Sequence, residues 1–429
     1  MPMTPHPASP PSLSRPLTVL MVSDVYFPRI NGVSTSIETF RRTLADLGVT
    51  VRLVAPAYDA SDDADDALWR VPGRPVPRDP EDRLMAWRKL GRAVAEAAEG
   101  ADLIHVQTPF LAHYAGVAEA RRRGVPVLAT YHTFFEEYLH HYAPFLPGTL
   151  LRGLARRLSR HQCNGVDEVV VPSRAMAERL SDYGVTTPLT VLPTGIPMAR
   201  FDCTDTGTRA AARQRFRLAH GIAPDRPVAL FVGRVAFEKN IAFLLEAHAL
   251  ARRHLPDLLL LVTGEGPARP ALERHAASLG LGDSVRFLGY LERERALPDC
   301  YAAADVFAFA SHTETQGLVL LEALAAGLPV VALAEMGTRD ILLDRDGCPM
   351  PGCVVPRAEV ADFALHLADL LGGLHQDPHA RLRLEREARG SAAGWSDQAL
   401  AARLAERYHA RCAVDPRPAL LIPRPEARG

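Results

Sequence analysis

Glu314 and Glu322 are the two residues whose setting most needs a chemical explanation. They bracket Glu314-Thr-Gln-Gly-Leu-Val-Leu-Leu-Glu322, which runs on as Ala-Leu-Ala-Ala-Gly-Leu-Pro-Val-Val. Leu318 to Leu321 precede Glu322 and Ala323 to Ala326 follow it, so a helix here is apolar all round and belongs in the interior. A carboxylate in such a helix is costly unless something hydrogen-bonds it. Nothing basic lies within one turn of Glu322, so its partner must come from elsewhere. A sugar with vicinal hydroxyls fits, because an ionised carboxylate only accepts and two hydroxyls are two donors. Upstream, Val306-Phe-Ala-Phe-Ala reads as a buried strand and Ser311 to Gly317 as the loop after it. The helix is predicted to start near Leu318 and to stop at Gly327, with Pro329 beyond. Gly317 and Leu318 then lie at a helix N-terminus, where free N–H groups favour a phosphate.

Cations come from a second segment, Phe231-Val-Gly-Arg-Val-Ala-Phe-Glu-Lys-Asn240. Gly233 and Arg234 follow a predicted strand and Lys239 opens the next helix, so two cations five residues apart face the strand's carboxyl end. Such a pair can neutralise a diphosphate leaving group. Only Lys89 and Lys239, among 49 basic residues, are lysines. A Lys kept against that bias offers the compact point charge that suits phosphate; Lys89 reads as an ordinary surface residue. The competing reading of Arg234 is a surface ion pair with Glu238. Leu261-Val-Thr-Gly264-Glu-Gly-Pro267 is another strand-to-helix glycine turn that can bring backbone near a nucleotide base. In the first half, Asn31-Gly32 sits in a strand-to-helix loop where glycine lets backbone approach a phosphate or sugar; an ordinary turn is the alternative. His132, in Thr130-Tyr-His-Thr-Phe-Phe, lies just past a strand end. It can hydrogen-bond a reacting sugar or serve structure alone.

The elements that must position these residues alternate short apolar strands with helical stretches in two similar halves. Strands are expected at Leu17 to Val22, Thr50 to Ala55, Leu103 to Val106, Val125 to Thr130, Glu168 to Val171 and Leu189 to Leu192. After the Pro193-Thr-Gly-Ile-Pro197 linker come Val228 to Val232, Leu258 to Val262, Val285 to Leu288, Val306 to Ala310 and Val330 to Leu333. The alternation predicts an α/β chain with parallel sheets covered on both faces, whose ligands bind at the carboxyl ends of strands. The expected organisation is a disordered leader over 1–16, a first Rossmann-like domain over 17–197 and a second over 198–390. A helix over 391–414 and a disordered Pro/Arg tail over 415–429 complete it.

Net charge is −1 over 429 residues, which argues against wholesale nucleic-acid binding. No run of 18 apolar residues occurs, and the first residues lack a signal-peptide pattern. Six cysteines without CxxC or zinc spacing agree with reduced thiols and a cytoplasmic setting. Asp63-Ala-Asp65 mimics a metal-binding Asp pair but sits in an acidic run that reads as a solvated loop, so no metal site is expected. Leu139 to Gly165 is a distinct element. On a helical wheel Leu150, Leu151, Leu154, Ala155 and Leu158 fill one arc and Arg152, Arg156, Arg157 and Arg160 the opposite one. Such a helix can lie on an anionic membrane, or pack its Leu face on the sheet.

Taken together, Pro28-Arg-Ile-Asn-Gly-Val33, Tyr131-His-Thr133, Pro193-Thr-Gly195, Gly233-Arg234 with Lys239-Asn240, Gly264-Glu-Gly-Pro267 and the Glu314-to-Glu322 block resemble the GT-B retaining glycosyltransferases of family 4. The match covers roughly residues 17 to 390. The resemblance implies a nucleotide-sugar donor and a fold of two Rossmann-like domains facing across a cleft. It implies that Glu322 holds the ribose, Glu314 lies against the donor sugar, and Arg234 and Lys239 bind the diphosphate. It places Gly32 near the donor phosphates and sugar and His132 near the anomeric centre, and it implies no bound metal and no other cofactor. Tyr131-His-Thr-Phe-Phe-Glu-Glu-Tyr-Leu-His-His141 is similar to diacylglycerol glucosyltransferases and GDP-mannose-dependent lipid mannosyltransferases, whose first domain docks on membranes. The near absence of Lys and the near-neutral charge depart from that subgroup. The expectation is a peripheral enzyme at the inner face of the cytoplasmic membrane, transferring glucose or mannose from a nucleotide diphosphate to a lipid hydroxyl. Rivals are a transferase building a soluble glycan, a nucleotide-sugar epimerase of the same architecture, and a non-enzymatic scaffold with a nucleotide site. The residues leave base, sugar, acceptor, linkage and oligomeric state open.

Overall fold

The computed structural model describes residues 16–58, 65–76, 79–132, 148–201 and 206–413. The expected tail, the leader up to residue 15, Asp63 and Thr133 to His141 lie outside them. Among the described residues fifteen strands form two large sheets and a hairpin. The first sheet contains β1 (Leu17–Val22), β2 (Val49–Pro56), β3 (Leu68–Val71), β6 (Leu103–Val106), β7 (Val127–Thr130), β8 (Glu168–Val171) and β9 (Leu189–Val191), in the order β3-β2-β1-β6-β7-β8-β9. The hairpin is β4 (Gly73–Val76) with β5 (Asp79–Met85). The second sheet contains β10 (Val228–Val232), β11 (Leu259–Thr263), β12 (Val285–Gly289), β13 (Val306–Phe309), β14 (Val330–Ala332) and β15 (Cys353–Val354), in the order β12-β11-β10-β13-β14-β15.

The central strands are buried because their sequences are apolar without alternation. Every residue of β10, β11 and β13 is buried, as a parallel strand covered on both faces requires. β1 pairs in parallel with β2 and β6, and β10 in parallel with β11 and β13. In both sheets the strand order reverses beside the first strand, and open α/β sheets bind ligands at the carboxyl ends of strands at that reversal. The loops that leave β1, β10 and β13 there carry Gly32, Arg234 with Lys239, and Glu314.

The expected α/β architecture is found. Sequence reading missed β3 and the β4–β5 hairpin. Gly73-Arg-Pro-Val76 and Asp79-Pro-Glu-Asp-Arg-Leu-Met85 contain prolines and charges and show neither run nor alternation. They are held mainly by pairing with each other, with Met85 buried at one end.

By its contacts the chain divides into two compact units. One comprises the residues up to Thr130, Gln162–Val169 and those from Ala401 on; the other comprises Tyr131–His161 and Val170–Leu400. The C-terminal helix belongs to the first unit through buried polar contacts. Arg407 donates to both Glu168 carboxylate oxygens at 2.8 and 2.9 Å, Arg411 joins them, and Tyr408 meets His105 Nδ1 at 2.6 Å. In the second unit the Pro193-Thr-Gly195 segment is no loose linker. Ile196 donates to Trp395 and receives from Asp397, and a Cβ on Gly195 would lie 2.5 Å from Asp397 Cα.

Candidate active site

Backbone packing sets the second-unit site. Gly264 has φ +125°, and a Cβ there would stand 2.0 Å from the Gly233 carbonyl oxygen, so only glycine fits. Gly233 N–H donates to Thr263 (3.0 Å), Val235 N–H to Glu265 (2.9 Å) and Gly264 N–H to Gly289 (2.8 Å). The loops leaving β10, β11 and β12 are thus stacked main chain on main chain. From this platform Arg234 projects as an exposed residue. Lys239 does not open a helix as expected. It ends a 3-10 turn, Phe237–Lys239, and Asn240 (φ 54°) reverses the chain before the helix Ile241–Ala251 begins. The Asn240 amide is tied to the Ala310 carbonyl at 3.2 Å.

That turn aims Lys239 at the loop after β13, where its Nζ donates to Glu314 Oε1 at 2.6 Å. Both side chains keep partial solvent contact. The Glu314 loop is pinned on each side. Gly337 N–H donates to the Glu314 carbonyl at 2.9 Å, Thr315 Oγ1 to the His132 carbonyl at 3.1 Å, and Gln316 exchanges two hydrogen bonds with the Thr194 backbone at 2.8 and 2.7 Å. The Pro193-Thr-Gly195 motif thus has a structural use: it anchors the buried Gln316. His132 is held beside Thr315, and burial pushes its imidazole down to about 4, so it is neutral at pH 7. Gly317 (φ +98°) makes the turn into the helix Leu318–Ala325, which starts where the sequence places it.

Glu322 is buried on that helix, as expected, yet its partners are protein groups. Arg293 Nη2 donates to Oε1 at 3.0 Å and the Tyr301 hydroxyl to Oε2 at 3.0 Å. The partners come from elsewhere in the sequence, as expected, but they are protein groups where a sugar had been read as a fit; each oxygen accepts one bond from them and retains room for another. Burial raises the Glu322 pKa while Arg293 and Tyr301 oppose the rise. Arg293 and Tyr301 escaped sequence reading because they reach Glu322 across 29 and 21 residues. Gln316 lay inside the motif and was overlooked for want of a charge.

Gly32 lies in the first unit, as the first residue of the helix Gly32–Ala45, whose Asn31 cap accepts from Ser34 N–H at 2.8 Å. Beyond β1 in the same unit Asp24 was also missed. It is buried, accepts from Thr108 Oγ1 at 2.7 Å and from Ala112 N–H, and burial raises its pKa to about 6.

The arginine-rich element forms the helix Gly148–Cys163. Its buried stripe is Ala155, Ser159, Gln162 and Cys163, and Ser159 bonds the Tyr131 hydroxyl at 2.8 Å. Of the two alternatives for the Leu face, packing inward does not hold at Leu154, which is 56% exposed. Arg152, Arg156, Arg157 and Arg160 are exposed too, with Arg156 over the Tyr183 ring. Leu150 and Leu151 side chains are outside the description. Asp65, read as loop, pairs with Arg41 at 2.8 Å. Among the described residues no group of three or more His, Cys, Asp and Glu side chains is arranged to hold a metal ion, and no helix is long and apolar enough to cross a membrane.

Residues 30–200 match the Glycosyltransferase Family 4 domain and residues 212–390 the Glycosyl transferases group 1 domain. The alpha-monoglucosyldiacylglycerol synthase of Streptococcus pneumoniae is 35% identical over 76% of this chain and 73% of its own length. The chain is a GT-B glycosyltransferase of family 4. A GDP-mannose-dependent alpha-mannosyltransferase of Mycobacterium tuberculosis is 29% identical over 91% of this chain and 96% of its own. Among solved structures, sucrose-phosphate synthase of Thermosynechococcus elongatus (TM-score 0.71, 21% identity) covers 93% of the chain and 100% of its own. Anabaena HepE in complex with UDP (TM-score 0.70, 18% identity) covers 92% and 100%. At those identities the two structures establish the fold. This glycosyltransferase therefore uses a nucleotide-sugar donor and passes the glycosyl group to an acceptor.

Proposed function

We propose that this glycosyltransferase transfers a hexose, glucose or mannose, with retention from a nucleoside diphosphate to the hydroxyl of a membrane lipid such as diacylglycerol. The reading is carried by the resemblance to the Streptococcus synthase, 35% identical. Exposure of Leu154 amid Arg152, Arg157 and Arg160 supports the lipid acceptor. An apolar side chain left in water beside cations suits an anionic interface and needs no partner within the fold.

In this reading Glu322 accepts the ribose hydroxyls at the positions left by Arg293 and Tyr301, while Gly317 and Leu318 offer N–H groups to phosphate. Lys239 exchanges Glu314 for the diphosphate and, with Arg234, holds the charge that develops as the glycosidic bond breaks. Glu314, released from Lys239, accepts from the sugar. Neutral His132 offers a hydrogen bond near the anomeric centre without adding charge. The leaving diphosphate takes the acceptor proton as the hydroxyl attacks from the same face. No resident metal is needed, and turnover is expected to be unchanged by EDTA.

The test is mass spectrometry of products from purified protein with UDP-glucose, UDP-galactose or GDP-mannose, with and without anionic liposomes containing diacylglycerol. A hexosyl-diacylglycerol is expected. Donor consumption with a soluble glycan product and no lipid product would overturn the lipid acceptor.

A further inference from the structure

At the opposite end of β13 from the Glu314 loop lies a second concentration of charge, within the same unit. The helix Thr206–Ala219 carries Arg209, Arg213 and Arg217 at four-residue intervals, and the helix Pro378–Ala392 carries Arg381, Glu385 and Arg389 at the same intervals. Each set lies along one helix face. Asp305, immediately before β13, lies between them. Its Oδ1 meets Arg213 at 2.8 Å and Arg381 at 2.9 Å, and its Oδ2 meets Arg217 at 3.0 Å and Val228 N–H at 2.9 Å. Glu385 meets Arg209 at 2.7 Å and approaches Arg389 at 4.0 Å.

Among the described residues five guanidinium groups therefore face two carboxylates. Asp305, Glu385 and Arg217 are buried, the Arg217 side chain only 3% exposed. The helix Ala296–Ala303 ends here, with Ala303 and Ala304 carbonyls accepting from Arg213 and Arg217, and the helix Leu318–Ala325 ends nearby, with the Gly327 carbonyl 3.5 Å from Arg209. Each C-terminus counts as roughly half a negative charge. The excess of three positive charges falls to about two. That balances the charge of a phosphate dianion, and paired guanidinium forks suit its oxygens. The arginines depress one another: Arg213 and Arg381 push Arg217 down, with burial as the larger cause, to about 10. Among the described residues Arg381 spends only Nη1, on Asp305, and is a quarter exposed, as is Arg213. Its remaining N–H groups stand at the solvent edge of the cluster.

We propose that this cluster binds a phosphate group, as free phosphate or as a phosphomonoester, at the end of the second sheet remote from the donor loops. The site is independent of which sugar or acceptor the enzyme uses.

The test measures thermal midpoint and calorimetric binding with inorganic phosphate and, separately, glycerol phosphate, with sodium chloride holding ionic strength constant. A saturable rise of about 2–4 °C is expected. It should persist in Lys239→Ala, vanish in Arg381→Gln and be partly retained in Arg381→Lys. Tighter binding of glycerol phosphate assigns an organic ligand; equal binding assigns phosphate itself. A rise reproduced by chloride alone would be screening and would overturn the site. So would a rise lost in Lys239→Ala and kept in Arg381→Gln, which places the anion at the donor loops. Should Arg381→Gln not fold, selenate soaked into crystals of the unaltered enzyme must scatter anomalously between Arg213 and Arg381, and a blank map there refutes the proposal.

Discussion

Replacing Arg293 by Ala should convert donor binding into a pH-dependent process. In the unaltered chain Arg293 lies 3.0 Å from the buried Glu322 carboxylate. With charge centres near 4 Å and an effective dielectric of 20, their attraction is about 4 kcal/mol. Arg293 is a quarter exposed, so solvent screening leaves about half of that. Burial already raises the Glu322 pKa, with Arg293 the leading opposing influence. Its loss therefore carries the carboxyl toward the neutral form at pH 7. The variant sheds the cost of an unpaired buried charge by taking up a proton, so the fold should survive. Ribose hydroxyls donating to a charged acceptor gain about 1 kcal/mol more each than to a neutral one. Two hydroxyls make about 2 kcal/mol, or about 30-fold in affinity. The expected outcome is a dissociation constant for UDP or GDP raised about 30-fold at pH 7. It should recover toward the unaltered value as pH rises, with kcat at saturating donor little changed. Calorimetry at four pH values reads the first effect and initial rates the second. The sign is fixed by the acid: a raised pKa means ionisation, and binding, return as pH rises. Unaltered affinity in Arg293→Ala, or a loss that does not vary with pH, would refute the reasoning.

Three other changes test separate parts of the construction. Lys239→Ala removes a phosphate cation and leaves Glu314, which keeps partial solvent contact, without its partner, so turnover should fall by about a hundredfold or more with the thermal midpoint little moved; near-normal turnover would remove Lys239 from the reaction. Gln316→Ala deletes both bonds to the Thr194 backbone and leaves a buried amide and carbonyl unpaired, which should cost about 2–4 kcal/mol in urea unfolding. Asp24 has a folded pKa raised to about 6 from 3.8. Between those values the folded form holds more protons, so its contribution to stability falls as pH rises through that window, by about 3 kcal/mol in all. Asp24→Asn should therefore stabilise the enzyme at pH 8 and lose that advantage near pH 4; an equal effect at both pH values would show that Asp24 does not titrate as described.

The helix holding Glu322 was legible because its apolar run, the preceding strand and the Gly327 stop are local signals. So was the parallel architecture, since β10, β11 and β13 are uninterrupted apolar segments. The loops were harder. Lys239 was placed at a helix start because propensity does not foretell the left-handed turn at Asn240. The arginine-rich helix was read as a clean Leu face against an Arg face, but its buried stripe is Ala155, Ser159, Gln162 and Cys163. Burial follows the neighbour's shape, and a tight approach selects small side chains over large apolar ones.

By itself the sequence determined which groups the enzyme carries and in what order, and with them the family: Gly233-Arg234, Lys239, Glu314 and Glu322 are spaced by local geometry that a strand, a turn and a helix impose. Only the tertiary structure decided how those charges are held. Lys239 rests on Glu314 and Glu322 is shared by Arg293 and Tyr301 because parallel strands bring loops distant in sequence to one edge of a sheet. Coulomb attraction and desolvation act over ångströms in space, and sequence separation does not enter them.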